Sequence, residues 1–158
     1  MYIWANGNSY TGDFSMGFMC GEGEMKYKSK GHRYKGRWAR DRKHGRGTFW
    51  YADGNMYEGE FKDDGINGKG KLVMFPGTIL EEVYEGEFKR GIKHGQGTYV
   101  YAKGEGMVYR GQWDNGLRHG EGLLRFRDGS FYRGEFDKEK KHGTGCMVWA
   151  DGSQYQGR

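Results

Sequence analysis

The sequence predicts an all-β fold, an elongated single-sheet solenoid of successive antiparallel hairpins, with one hairpin per repeat of about 23 residues. Three observations point there. A Tyr-x-Gly-x-Phe/Trp pattern returns at a nearly fixed interval, a Gly-x-Gly follows every complete copy, and apolar residues alternate with polar ones around both.

The chain has 158 residues, with 31 glycines and a single proline, Pro76. Such glycine content with low hydrophobicity would suit disorder, but 16% aromatic residues argue for a folded, turn-rich chain that buries its rings. No stretch is long and apolar enough to span a membrane as a helix. The two cysteines, Cys20 and Cys146, make no disulfide framework and are expected to be reduced thiols in a cytosolic setting. A net charge of +5 favours acidic partners without choosing among lipid head groups, proteins and nucleic acid.

In chain order, residues 1–9 ("MYIWANGNS") read in register with Cys146 to Gln154 ("CMVWADGSQ") and form the second half of a repeat. Complete repeats start at Tyr10, Tyr34, Tyr57, Tyr84, Tyr109 and Tyr132, and a truncated one at Tyr155, with spacings of 24, 23, 27, 25, 23 and 23. One array thus occupies residues 1–158, and it is expected to be a piece of a longer one. Six residues after each strand aromatic stands His44, His94, His119 or His142, replaced by Cys20 and Asn67 in the first and third repeats. Asp53-Gly54, Asp128-Gly129 and Asp151-Gly152 close repeats, with Pro76-Gly77 and Lys103-Gly104 as variants.

This pattern resembles the MORN repeat, the membrane occupation and recognition nexus motif, over essentially the whole chain. The resemblance implies a non-enzymatic module, since in enzymes that carry such arrays the catalysis belongs to an attached domain. It also implies phosphoinositide-containing membranes as a partner.

The residues support the same architecture independently. In Tyr84-Glu85-Gly86-Glu87-Phe88 apolar or small residues alternate with charges, the period of a strand with one buried face. Two and four residues past each Gly-x-Gly stand Met25 and Tyr27, Phe49 and Tyr51, Leu72 and Met74, Tyr99 and Tyr101, Leu124 and Phe126, Met147 and Trp149. Both strands of each hairpin therefore present an apolar face on the same side. The glycine between the two aromatics is expected to leave room for a ring from the neighbouring strand, and the Asp-Gly pairs to supply the positive φ that reverses the chain. Strands ~4.8 Å apart would make a twisted ribbon about 60 Å long, curled around its aromatic face.

Ten rings, Tyr34, Trp38, Tyr57, Phe61, Tyr84, Phe88, Tyr109, Trp113, Tyr132 and Phe136, are expected to form either the core or an aromatic groove for a partner protein. Segments such as Lys89 to His94 read as hairpin loops, which would gather Arg40, Arg42, Lys43, Lys89, Arg90, Lys93, Arg118, Lys138, Lys140 and Lys141 into a basic rim able to dock on anionic lipid. Acidic neighbours such as Asp63, Asp114 and Asp137 dilute that rim. Two longer turns, "TILEEV" after Gly77 and "EGMV" after Gly104, fall on the opposite edge as plain insertions or a contact patch. On the polar face Lys35 and Arg37, then Glu58, Glu60, Glu85 and Glu87, then Arg110 and Arg133 form charge stripes.

Histidines of successive repeats would lie ~10 Å apart, too far to share one metal ion whose ligands each sit about 2 Å away. A metal site within one chain is therefore not expected, while an intermolecular one using Cys146 and His142 stays open. No Ser-His-Asp spacing, phosphate loop or paired carboxylates suggest catalysis, and no cofactor is expected. Nucleic acid is not an expected partner, because the rings are committed to packing. The expected function is a structural scaffold that forms a homodimer through open sheet ends and binds partner proteins in the cytoplasm, at the cytoskeleton or a membrane. The alternative is a lipid-binding module.

Overall fold

The computed structural model describes residues 1–158. It contains fourteen strands: β1 (Tyr2–Ile3), β2 (Ser9–Ser15), β3 (Phe18–Tyr27), β4 (His32–Ala39), β5 (Arg42–Trp50), β6 (Met56–Lys62), β7 (Gly65–Met74), β8 (Glu82–Lys89), β9 (Ile92–Val100), β10 (Val108–Asp114), β11 (Leu117–Arg125), β12 (Phe131–Asp137), β13 (Lys140–Val148) and β14 (Gln154–Gly157). They form one antiparallel sheet in sequential order, so every strand pairs only with its neighbours along the chain. The expected succession of hairpins is the observed architecture.

The hairpin connections differ from the sequence reading. The segments read as loops are two-residue turns, and Lys93 and His94 lie inside β9. The turn pairs Met16-Gly17, Arg40-Asp41, Asp63-Asp64, Arg90-Gly91, Asn115-Gly116 and Lys138-Glu139 all have φ between 45° and 85°. This double left-handed geometry matches the right-handed twist of the flanking strands, which is why short hairpins select it. Outside glycine it costs roughly 1–2 kcal/mol per residue, and hydrogen bonds to the preceding hairpin offset that strain. Asp41, Asp64 and Glu139 each donate their backbone N–H to the carbonyl of Met19, Lys43 or Arg118. Their side chains accept the amide of that same residue at 2.7, 2.9 and 2.6 Å. Gly91 and Gly116 keep only the backbone half of this clamp, to Ile66 and Lys93, and Asn67 Oδ1 accepts the Arg90 amide beside it.

Each hairpin also carries a register shift just past its first-strand glycine. Opposite the shift sits the first glycine of Gly-x-Gly, for example Gly95 with φ +60°. That glycine is thus a bulge inside the second strand, not its opening residue. Between hairpins Gly54, Gly129 and Gly152 supply the expected positive φ, but at Lys103-Gly104 the left-handed residue is Gly106.

The core is a ladder of rings on one face. Tyr10, Tyr34, Tyr57, Tyr84 and Tyr109 are fully buried. Each tyrosine stands edge-to-face against the aromatic four residues on in its own strand and against its counterpart in the next hairpin. From Phe14 to Phe136 the ring centres lie 5.0–5.5 Å apart with interplanar angles of 79–89°. Such contacts contribute about 0.5–1.5 kcal/mol each beyond the area they bury. The hydroxyls of Tyr10, Tyr34, Tyr57, Tyr84, Tyr109 and Tyr132 each donate to the carbonyl three residues on, at 2.9–3.1 Å, where the backbone turns into the bulge.

Candidate functional site

Two surfaces flank this ladder, and the strand period decides which residues each receives. Counting back in twos from Tyr99 through Gly97 and Gly95 reaches Lys93, so this lysine shares the face of the rings. Its Nζ lies 4.2 Å from the Trp113 ring centre and 4.4 Å from that of Tyr99. Lys43, Arg118 and Lys141 occupy the same position in their repeats and also lie over rings, Lys141 at 4.8 Å from Tyr132. Burial holds the Lys93 and Lys141 amines below the usual lysine range. Lys43 pairs with Asp64 at 3.2 Å and Arg118 with Glu139 at 2.9 Å. Met19 and Ile66 fill the equivalent place in the first and third repeats, where the sequence puts no cation.

The structure therefore divides the ten residues expected on one basic rim. Lys43, Lys93, Arg118 and Lys141 turn onto the aromatic face, because alternation inside a strand, not a loop, sets their direction. Arg40, Arg42, Lys89, Arg90, Lys138 and Lys140 remain exposed at the hairpin-turn edge. There they sit among Asp41, Asp63, Asp64 and Glu139, and Arg42 lies 3.9 Å from Asp63.

The ten named rings are all buried, so they are closed to any partner in this conformation. What remains open on that face is the second-strand row, in which Tyr27, Phe49, Tyr51, Met74, Tyr101 and Phe126 are half-buried and Trp149 is exposed. Sequence reasoning placed this row on the apolar face but did not separate its exposure from that of the first-strand rings. The signal was its distance from the Tyr-Gly pair, which alone has a ring folded over backbone. The phenols of Tyr57, Tyr84 and Tyr109 are pushed up to about 12, chiefly by burial.

On the other face Glu22, Lys35, Arg46, Glu58, Lys69, Lys71, Glu85 and Glu87 surround a trough of about 840 Å³ floored by Gly36, Gly47, Gly59, Gly70 and Gly86, with no hydrophobic side chain. The expected charge stripes are present, and Lys71 stands in register between Glu58 and Glu85. Cys20 and Cys146 are half-buried free thiols. His142 is exposed, in register with the Glu135 strand position, and no group of three His, Cys, Asp or Glu side chains is arranged to hold a metal ion. His94 and His119 instead face Asp114 and Asp137 of the next repeat at 3.3 and 3.4 Å. No helix is long and apolar enough to cross a membrane.

Comparison with known proteins places this geometry. The MORN repeat family matches six times, at residues 10–32, 34–56, 57–78, 84–106, 109–131 and 132–154. Alsin from Rattus norvegicus is 37% identical over 73 residues, covering 44% of this chain and 4% of its own length. Alsin from Mus musculus is 38% identical over the same extent. The chain thus spans a small part of these curated relatives. Among solved structures, the TCP domain of SAS-4 from Drosophila melanogaster, in complex with a proline-rich motif of Ana2, superimposes with a TM-score of 0.57. That match covers 99% of this chain and 81% of the domain at 15% identity, and shows a shared fold. By its six matched repeats and its hairpin sheet, the chain belongs to the MORN-repeat family, a family of non-catalytic modules for protein or membrane interaction.

Proposed function

We propose that the array is a non-enzymatic scaffold that binds partner proteins along its aromatic face and joins a second copy through its sheet edges. The observation that carries this reading is the single layer itself. A sheet with no second layer buries its first-strand rings by folding them over glycine, and leaves the row from Tyr27 to Trp149 only partly covered. Half-covered rings with a cation over them, Tyr27 and Phe49 under Lys43 and Phe126 under Lys141, suit a protein segment with apolar and acidic groups. The outer strands β1 and β14 offer unpaired backbone groups, and Tyr2, Ile3 and Tyr155 beside them are exposed. The SAS-4 domain of the same fold is in complex with a proline-rich motif, a precedent for a peptide partner of a domain with this fold.

Light scattering across a concentration series tests self-association. A dimer mass that falls to monomer on dilution supports the proposal, and a strictly monomeric particle at high concentration removes that half of it. Sedimentation with phosphoinositide vesicles tests the membrane reading, for which the exposed turn-edge cations Arg40, Arg42, Lys89, Arg90, Lys138 and Lys140 argue. Charge reversal at Lys89 and Arg90 abolishes vesicle binding if that edge docks, whereas absence of sedimentation even at low salt excludes it.

A further inference from the structure

One of the two longest connections in the sheet, Phe75 to Glu81 between β7 and β8, is an addition to the repeat with a chemistry of its own. Residues 75 to 80 are all exposed, and three of them, Phe75, Ile79 and Leu80, are large and apolar. Two backbone bonds, from the Thr78 amide to the Phe75 carbonyl and from the Glu81 amide to the Thr78 carbonyl, both at 3.2 Å, hold the segment together with one hydroxyl. Thr78 Oγ1 donates to the Phe75 carbonyl at 2.8 Å and accepts the Leu80 amide at 3.1 Å. Glu81 closes the turn by accepting the Gly77 amide at 2.7 Å through Oε2. Thr78 is followed by Ile79-Leu80-Glu81-Glu82, and no other serine or threonine of this chain has an acidic residue three positions later. The remaining hydroxyl residues lie in repeat strands or short turns, followed at that position by aromatic, aliphatic, basic, amide or glycine residues.

We infer that Thr78 is a phosphorylation site for an acid-directed Ser/Thr kinase, and that the phosphate loosens the turn that presents Phe75, Ile79 and Leu80. Kinases of this class select substrates by charge, placing basic side chains where a carboxylate three residues past the hydroxyl arrives. In an extended segment that carboxylate's residue lies roughly 10 Å from the threonine. Extending the turn breaks only exposed hydrogen bonds, so a kinase can capture the open form readily. In the transfer, Thr78 Oγ1 forms a bond to the γ-phosphorus of ATP as the bond from that phosphorus to the β–γ bridging oxygen breaks. ADP leaves, and the hydroxyl proton passes to the kinase base. The ester oxygen has lost its hydrogen and no longer donates to Phe75. A phosphate of about −2 charge then stands beside Glu81 and repels the carboxylate that holds Gly77.

The test uses the full chain with Mg-ATP and casein kinase 2, read by intact mass and peptide mapping, beside a synthetic peptide spanning residues 74–83. The expected result is one phosphate, on Thr78, absent from Thr78→Ala and retained at that position by Thr78→Ser. In a Glu81→Gln, Glu82→Gln double variant the rate falls about tenfold or more, as loss of charge-assisted contacts requires. Deuterium uptake of residues 75–82 rises in the phosphorylated chain and stays unchanged in strands β4 to β6. No phosphate on the folded chain, whether or not the peptide is modified, overturns the site. Phosphate mapped elsewhere, or an unaltered rate in the double variant, also overturns it. Phosphorylation without increased uptake overturns the loosening.

Discussion

At the scale of single residues, the glycines of this chain do two different jobs, and substitution separates them. A Cβ on Gly97 would lie 2.4 Å from the Tyr84 hydroxyl oxygen and 2.5 Å from its ring, inside a ladder that cannot shift without moving Phe88 and Trp113. Gly97→Ala is therefore expected to cost about 3 kcal/mol, the upper part of the usual overpacking range. At Gly152 nothing lies within 4 Å and only the φ of +86° resists a side chain, so Gly152→Ala costs about 1 kcal/mol. Urea unfolding of the two variants checks this, and equal losses would refute the assignment of the Gly97 site to ring packing. The same rings predict the alkaline limit of the fold. Tyr57, Tyr84 and Tyr109 have phenols raised from 10.0 to about 12, so the native state favours their neutral form. Their contribution is complete below pH 10 and disappears as pH rises through about 12, each tyrosine removing about 1.4 kcal/mol per pH unit inside that window. Phenolate absorbance followed with circular dichroism should show these rings ionising only as the sheet unfolds. Ionisation near pH 10 with the sheet intact would contradict their burial.

At the scale of the hairpin, the two-residue turn and its clamp carry the consequence. Glu139 accepts the Arg118 amide at 2.6 Å and its Nε–H at 2.9 Å, while the guanidinium lies over Tyr109 and Phe136. Glu139→Ala leaves a half-buried cation unpaired and a strand amide open, a loss of about 2 kcal/mol. Lys138→Asn on the same turn should be neutral or stabilising, since Lys138 also holds a left-handed φ, of 45°, and asparagine tolerates that conformation better. Thermal melting of the pair decides it, and similar destabilisation by both variants would mean that the turn, not the clamp, is at stake. The strands themselves were legible in the sequence, because the Tyr-x-Gly-x-Phe/Trp alternation has the strand period and its spacing repeats six times. The turns were not. Arg40-Asp41 and Lys138-Glu139 lack the glycine or asparagine that marks a left-handed turn, and what stabilises them is a partner in the previous hairpin, about 20 residues away in sequence. Misreading the turns also misdirected Lys93, although strand parity from Tyr99 already pointed it at the rings.

At the scale of the molecule, sequential strand order means that no contact reaches across the array, and each hairpin rests only on its neighbours. Stability in such a chain is close to a sum of repeat and nearest-neighbour terms, so a local lesson should stay local. Trp113 is the place to test this. Its ring stands 5.2 Å from Tyr109 in its own hairpin and 5.3 Å from Tyr84 in the previous one, its indole donates to the Gly97 carbonyl at 3.2 Å, and Lys93 lies over it. Trp113→Ala removes the within-hairpin and between-hairpin terms together, about 4 kcal/mol for a buried tryptophan. A compact two-layer domain would lose that amount uniformly, with one transition shifted to lower urea. Here the expected outcome is uncoupling. Amides of β9 to β13 exchange much faster, those of β3 to β6 keep their protection, and urea unfolding splits into two steps. A single shifted transition with uniform loss of protection would show that the array folds as one indivisible unit. The same locality bears on the proposed scaffold, because a sheet whose repeats hold independently can bend or open at one hairpin while a partner stays bound to another.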